Sequence, residues 1–258
     1  MSCILSFSGR LLPVLIWLAL AAGAVQAQEM PAFEVDHGML SEKYKGKSYS
    51  PYAQRDFPDE LLWGDSHLHT GISFDAGTAG ATLLPKDAYR FARGEEVVSS
   101  YGIPVKLSRP LDWLAVTDHT DNMGFIVDLV AGNPAILATP EGKDWHDRLK
   151  TASKDEAPEI AYEIIKALMV EQTFPMEIYY GPDSKGYKST WERIVQSAEH
   201  HNDPGKFTAI IGYEWTSSPN GNNLHRVVMF RDGADRAKQI VPFSGFDSDD
   251  PEDLWDWM

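Results

Sequence analysis

The segment Trp63-Gly64-Asp65-Ser66-His67-Leu68-His69-Thr70, with Asp118-His119 some fifty residues later, reads as half of a metal site. Side chains of an extended backbone alternate between faces, so His67 and His69 project the same way and can grip one ion with two imidazoles. Glu214 follows the continuous apolar run Ala209-Ile210-Ile211-Gly212-Tyr213, which places its carboxylate at the C-terminal mouth of a buried strand. A carboxylate in that position wants a cation. His225 sits near the start of the next β run, close enough across the connection to share a site with Glu214. His67, His69, His119, Glu214 and His225 are thus five ligand-type residues, each at or beside an expected strand end. Mixed imidazole and carboxylate ligation suits zinc, manganese or iron, and the scarcity of all-oxygen clusters argues against calcium. Asp118 is expected either to orient a neighbouring ligand or to close a turn, and Asp65 carries the same two readings. No G-x-S-x-G elbow is present and Ser244 in PFSGFD lacks that context, so a serine nucleophile is disfavoured.

These residues need strands to carry them. Leu61-Leu62-Trp63 begins an apolar strand that ends at the histidine pair, and a glycine-rich turn with Gly71, Gly77 and Gly80 follows. Pro85 to Gly94 is expected as a helix, with proline at its first position and glycine at its end. Leu111 to Thr117 is the next buried strand and delivers Asp118-His119 at its C-terminal end. Strand, helix, strand with functional groups after the strands is the pattern of a parallel α/β domain. Residues 133–187 interrupt it with a polar insertion holding one good helix, Ala157 to Gln172, whose apolar stripe is Ile160, Ile164, Leu168 and Met169. Ser189-Thr190-Trp191-Glu192 reads as a capping box opening a helix that runs to about His201. Phe207–Trp215 and Leu224–Phe230 are two further β runs joined by SSPNGNN, and Asp247 to Met258 reads as a cap and the first turns of a helix. His37, His146, His200 and His201 lie away from strand ends and are expected at the surface.

The start of the chain is a targeting segment. Arg10 precedes the apolar run Leu11 to Ala24, too short to span a membrane, and Val25-Gln26-Ala27 supplies small residues for a peptidase, so residues 1–27 are expected as a signal peptide cleaved after Ala27. Cys3 lies in the removed piece and is not placed for lipid attachment, which leaves a mature chain without disulfides, expected in the periplasm or outside the cell with no membrane anchor. Residues 28–60, with Pro31, Pro51 and Pro58 and no clear period, read as an extended lead-in. The net charge is −15, or −16 once Arg10 is gone, and no basic stripe interrupts it, so nucleic acid is not expected as a partner.

GDSHLHT, the TDH after an apolar strand, the G-x-E ending another and a later histidine opening a strand resemble the first motifs of the PHP (polymerase and histidinol phosphatase) superfamily of metallohydrolases. LLWGDSHLHTGISFDAG, AYRFARG and IIGYEWTS are similar, more narrowly, to a branch of large exported PHP-like bacterial proteins. The resemblance covers most of residues 60–258 and implies an α/β fold over 61–258, the N-terminal part of a distorted (β/α)7 barrel with the mainly helical insertion 133–187. It also implies up to three divalent ions at the C-terminal ends of the strands. Carried over by position, His67 and His69 would share one ion, Asp75 or its near neighbours would serve a second, His119 a further position, Glu214 would bridge two, and His225 would bind another. The family's later histidine and D-x-H pair have no counterpart before Met258, so the chain is expected to be incomplete at its C-terminus.

The function so implied is hydrolysis of a small phosphate ester by metal-activated water, without a protein nucleophile. Metal-activated water is not specific to phosphorus, so hydrolysis of a non-phosphate ester or an amide is the first alternative. A non-catalytic metal-binding module or inactive fragment is the second.

Overall fold

A computed structural model describes residues 61–258 except Lys154, Asn220 and Gly221. The signal peptide expected at 1–27, the lead-in expected at 28–60 and His37 lie outside the described residues. In chain order the elements are β1 (Gly64–Asp65), α1 (Phe74–Thr78), α2 (Pro85–Ala92), β2 (Val97–Val98), β3 (Pro104–Val105), β4 (Trp113–Val116), α3 (Phe125–Val130), α4 (Pro134–Leu137) and α5 (Pro140–Thr151). They continue as α6 (Ala157–Met169), a 3-10 turn at Met176–Ile178, α7 (Lys185–His201), β5 (Thr208–Trp215), β6 (Arg226–Met229), α8 (Ala234–Ala237) and α9 (Pro251–Trp257).

The architecture is mixed α/β, organised on a four-stranded sheet in the order β1-β4-β5-β6. β1, β4 and β5 run parallel, with Asp65 opposite Leu114 and Leu114 opposite Ala209. Continuous apolar sequence explains β4 and β5: a central parallel strand is covered on both faces, and Leu114, Ala115, Val116, Ile211, Tyr213 and Trp215 are all buried. β6 departs from the parallel pattern. It pairs antiparallel with β5, Glu214 opposite Val227, because a short connection can only return a chain alongside the strand it left. Gly212 makes the close approach of β6 possible, since a Cβ there would lie 3.0 Å from Val228 O and 3.2 Å from Thr117 Cγ2.

Several boundaries differ from the sequence reading. The first strand keeps only two residues, and Leu61, Leu62 and Trp63 are exposed, held at the edge where Trp63 N–H donates to Asp112 Oδ2 (2.6 Å). The glycine-rich turn contains a short helix, α1, which encloses Gly77. The helix expected from Ser189 begins earlier, at Lys185, because Ser184 caps it by accepting Tyr187 N–H at 3.1 Å. Thr190 is instead buried inside α7, where its hydroxyl receives the Arg193 guanidinium at 2.7 Å. The insertion holds more helix than its polar composition suggested: α5 is capped by Thr139 and anchored by buried Trp145, whose Nε1 donates to Glu163 of α6 at 3.1 Å. His201 is buried, stacked on Tyr89 with ring centroids 5.5 Å apart and its Nδ1 2.7 Å from Ser197 O, and His146 is half-buried against Leu129 O. The expected final helix forms as α9, with Asp250 accepting Glu252 N–H at 2.9 Å.

Candidate metal centre

The parallel register carries beyond β4. Val116 is opposite Ile211, and three residues on in each chain His119 is opposite Glu214 in an isolated parallel bridge, with Glu214 N–H donating to Asp118 O and Thr120 N–H to Glu214 O, both at 3.0 Å. His67 and His69 lie past the end of β1, in a segment fastened to β4 by Thr117 N–H donating to Leu68 O at 2.9 Å. Leu68 therefore packs toward the core and the two imidazoles share the opposite face. Antiparallel pairing of Trp215 with Arg226 brings His225, immediately before β6, to the same end of the sheet.

All six sequence-designated residues meet there, in three groups whose ligand atoms lie within 4.8 Å of one another: His67, His69 and Glu214; His69, Asp75 and His119; and His119, Glu214 and His225. Glu214 is the hub, 2 % exposed. Its Oε2 lies 2.8 Å from His69 Nε2, 3.0 Å from His67 Nε2 and 3.6 Å from His119 Nδ1, and its Oε1 lies 3.3 Å from His225 Nδ1. Asp75, in the first turn of α1, turns Oδ2 toward His119 Nε2 at 3.6 Å.

This donor set could hold a metal ion. The nitrogens of His67 and His69 are 3.1 Å apart and each is about as far from Glu214 Oε2, close enough together for one ion to reach all three. His225 Nε2 is buried and has no hydrogen-bond partner among the described residues. A neutral imidazole that donates through one nitrogen offers a single lone pair, so the three groups, which share His69 and His119, are not filled independently.

The electrostatics agree. Burial by itself disfavours a charged His69, but hydrogen bonds and charge from Asp75 and Glu214 outweigh it and raise the imidazolium to about 9. Burial would likewise raise Glu214 and Asp75; contact with His69, joined by His119 and His67 around Glu214 and by Ser73 around Asp75, brings Glu214 down to about 2 and holds Asp75 well below the usual carboxylate range. His119 is pushed by burial down to about 4, which keeps it neutral and able to ligate. Two ionised carboxylates against one imidazolium, His69, and the neutral His119 make a field that favours a cation.

Asp118 does not touch an imidazole. It is buried, and its carboxylate accepts the backbone N–H of Thr70 and, at 2.8 Å, the Thr70 hydroxyl, so it pins the turn after His69. Asp65 accepts His67 N–H at 2.9 Å, a local turn contact. Sequence reasoning missed two hydroxyls. Ser73 Oγ lies 2.9 Å from His69 Nδ1, and Thr216 Oγ1 lies 2.7 Å from His119 Nδ1. Thr216 lies two positions after Glu214, a spacing that carries a signal only once the partner of that strand is known.

The family described as "Protein of unknown function (DUF3604)" matches residues 56–258. No curated protein and no solved structure matches the chain.

Proposed function

The chain belongs to the DUF3604 family, and we propose that it is a metal-dependent hydrolase of the phosphoesterase kind, built on a PHP-like α/β scaffold. The observation that carries this reading is the buried Glu214 carboxylate, one oxygen turned to His67 and His69 and the other to His225. That disposition suits a carboxylate bridging two ions of zinc, manganese or iron, with Asp75 and His119 available to a further position, up to three in all. Such ions, when bound, would supply an activated water at neutral pH and neutralise charge developing on the substrate oxygen.

The chain's own groups supply the rest. Asp118 and the β4–β5 register fix where the ligands stand, and neutral His119 keeps a lone pair for a cation. His67 and Asp75, 57 % and 63 % exposed, form the open side through which a small molecule reaches the cluster. The substrate would be met in the periplasm or outside the cell; no described helix is long and apolar enough to cross a membrane. The second reading is hydrolysis of a non-phosphate ester or an amide, because metal-activated water is not specific to phosphorus.

The test is turnover of p-nitrophenyl phosphate, bis(p-nitrophenyl) phosphate and p-nitrophenyl acetate by the chain stripped with a chelator and then given zinc, manganese or iron. Phosphate release restored by an ion upholds the phosphoesterase. Acetate turnover alone moves the assignment to carboxylic esters, and retained metal without turnover leaves a binding module.

A further inference from the structure

Ser73 occupies the N-cap of α1, where a serine hydroxyl ordinarily accepts a backbone N–H of the first turn. Here it makes no such bond. The residue is fully buried, and its hydroxyl is committed elsewhere: it receives the His119 backbone N–H at 3.1 Å, donates to Asp75 Oδ1 at 2.8 Å, and lies 2.9 Å from His69 Nδ1. A hydroxyl has one hydrogen and two lone pairs. An ionised carboxylate oxygen can only accept, so the hydroxyl hydrogen is used on Asp75, and the amide of His119 can only donate. The remaining contact then has one polarity: His69 Nδ1 carries a hydrogen and gives it to Ser73. His69 Nε2 is left facing Glu214 Oε2 at 2.8 Å and His67 Nε2 at 3.1 Å.

From this count of hydrogens we infer that Ser73 is a positioning residue that links the Asp75 carboxylate to His69, fixing the ring so that Nδ1 is protonated and Nε2 is presented to the cation. The inference rests on the metal-binding reading of the site. It divides the work of Asp75 between its two oxygens: Oδ1 is taken by Ser73 and by Ala76 N–H at 2.6 Å, and Oδ2 faces His119. It also gives the buried hydroxyl a task that helix capping does not.

The test uses the full chain labelled with 15N-histidine, with zinc as the probe. In the unaltered chain, read at about pH 10 so that the free ring carries a single hydrogen, the His69 Nδ1 resonance is expected to be that of a protonated ring nitrogen, before and after zinc binds at Nε2. Ser73→Ala is expected to weaken zinc binding by about 10–100-fold, the usual cost of removing a group that orients a ligand, and to abolish the Nδ1 signature. Its metal-free melting temperature should fall, because the buried His119 N–H loses its acceptor, so zinc affinity is compared on the folded fraction. Equal zinc affinity in Ser73→Ala, or an unchanged Nδ1 resonance, overturns the inference. Should Ser73→Ala fail to fold, Asp75→Ala, at an exposed side chain, removes the acceptor and frees the Ser73 hydrogen for His69 Nδ1, and an unchanged Nδ1 resonance there overturns the inference. A chain that binds no zinc defeats the metal reading, while a His69 Nδ1 hydrogen that depends on Ser73 in that chain still upholds the relay and one that does not overturns it.

Discussion

At the scale of residues, the cluster concentrates four imidazoles and two carboxylates on one spot, and its behaviour follows from which of them hold protons. His69 keeps its proton up to about 9 because Asp75 and Glu214 outweigh the effect of burial, whereas Glu214, brought to about 2, and Asp75, lower still, are already ionised at neutral pH. A metal ion arriving at Nε2 of His69 must therefore expel one proton below pH 9 and none above it. Affinity is expected to rise about tenfold per pH unit between 7 and 9 and then level off, with proton release visible by calorimetry in buffers of different ionisation enthalpy. A flat profile over that window would show either that His69 holds no proton there or that it is not a ligand. Replacing His67 and His69 together by alanine should abolish tight metal retention beyond the about 10–100-fold cost of an outer-shell change. The chain should stay folded, since His67 is more than half exposed and neither imidazole belongs to the apolar core. Elemental analysis of the purified double mutant checks this, and unchanged metal content would remove the central claim.

At the scale of elements, the strands place the ligands by register rather than by length. β1 has two residues and β4 four, yet one parallel alignment sets His119 opposite Glu214. The His67, His69, His119, Glu214 and His225 set was legible in the sequence because each residue adjoins an apolar run or a period-two pair. The direction of β6 and the hydroxyls of Ser73 and Thr216 were not, because they depend on loop paths that no periodicity encodes. Nor was α5 legible: PEGKDWHDRLKT carries one buried aromatic, and its helix comes from the Thr139 cap, Pro140 at its start and ion pairs such as Arg148–Glu163 at 2.7 Å. That construction makes a separate prediction. Trp145→Ala removes a 4 % exposed ring stacked on Phe174 and the donor to Glu163, and should cost about 3–5 kcal/mol. Denaturant unfolding should report that loss, while metal content of the folded fraction stays as before, because neither α5 nor α6 supplies a ligand. Loss of metal in step with the ring would instead tie the insertion to the site.

At the scale of the whole molecule, the ligands come from positions far apart in the chain, from His67 to His225, and they meet only when the β1, β4, β5 and β6 pairings are all formed. An unfolded chain cannot assemble them, so a bound ion is expected to stabilise the native state by mass action, by about 2.7 kcal/mol at a free concentration one hundred times the dissociation constant. For a domain of this size that corresponds to a rise in melting temperature of about 5–10 °C, at about 2–4 °C per kcal/mol. The site is one corner of a structure whose core also includes Trp191, Tyr213, Phe125 and Ile164, so chelation should lower the melting temperature without unfolding the chain at 25 °C. The expected record is a single transition that moves up with added zinc and returns with chelator. A net charge of −15 adds a long-range contribution: divalent cations are attracted by the whole surface as well as by the cluster, and only the surface component is screened. Raising the salt from low to physiological strength should therefore slow association with zinc while leaving its dissociation rate nearly constant. A stabilisation that disappears at physiological salt, or that survives in the His67 and His69 double mutant, would place the ions on the acidic surface rather than at Glu214.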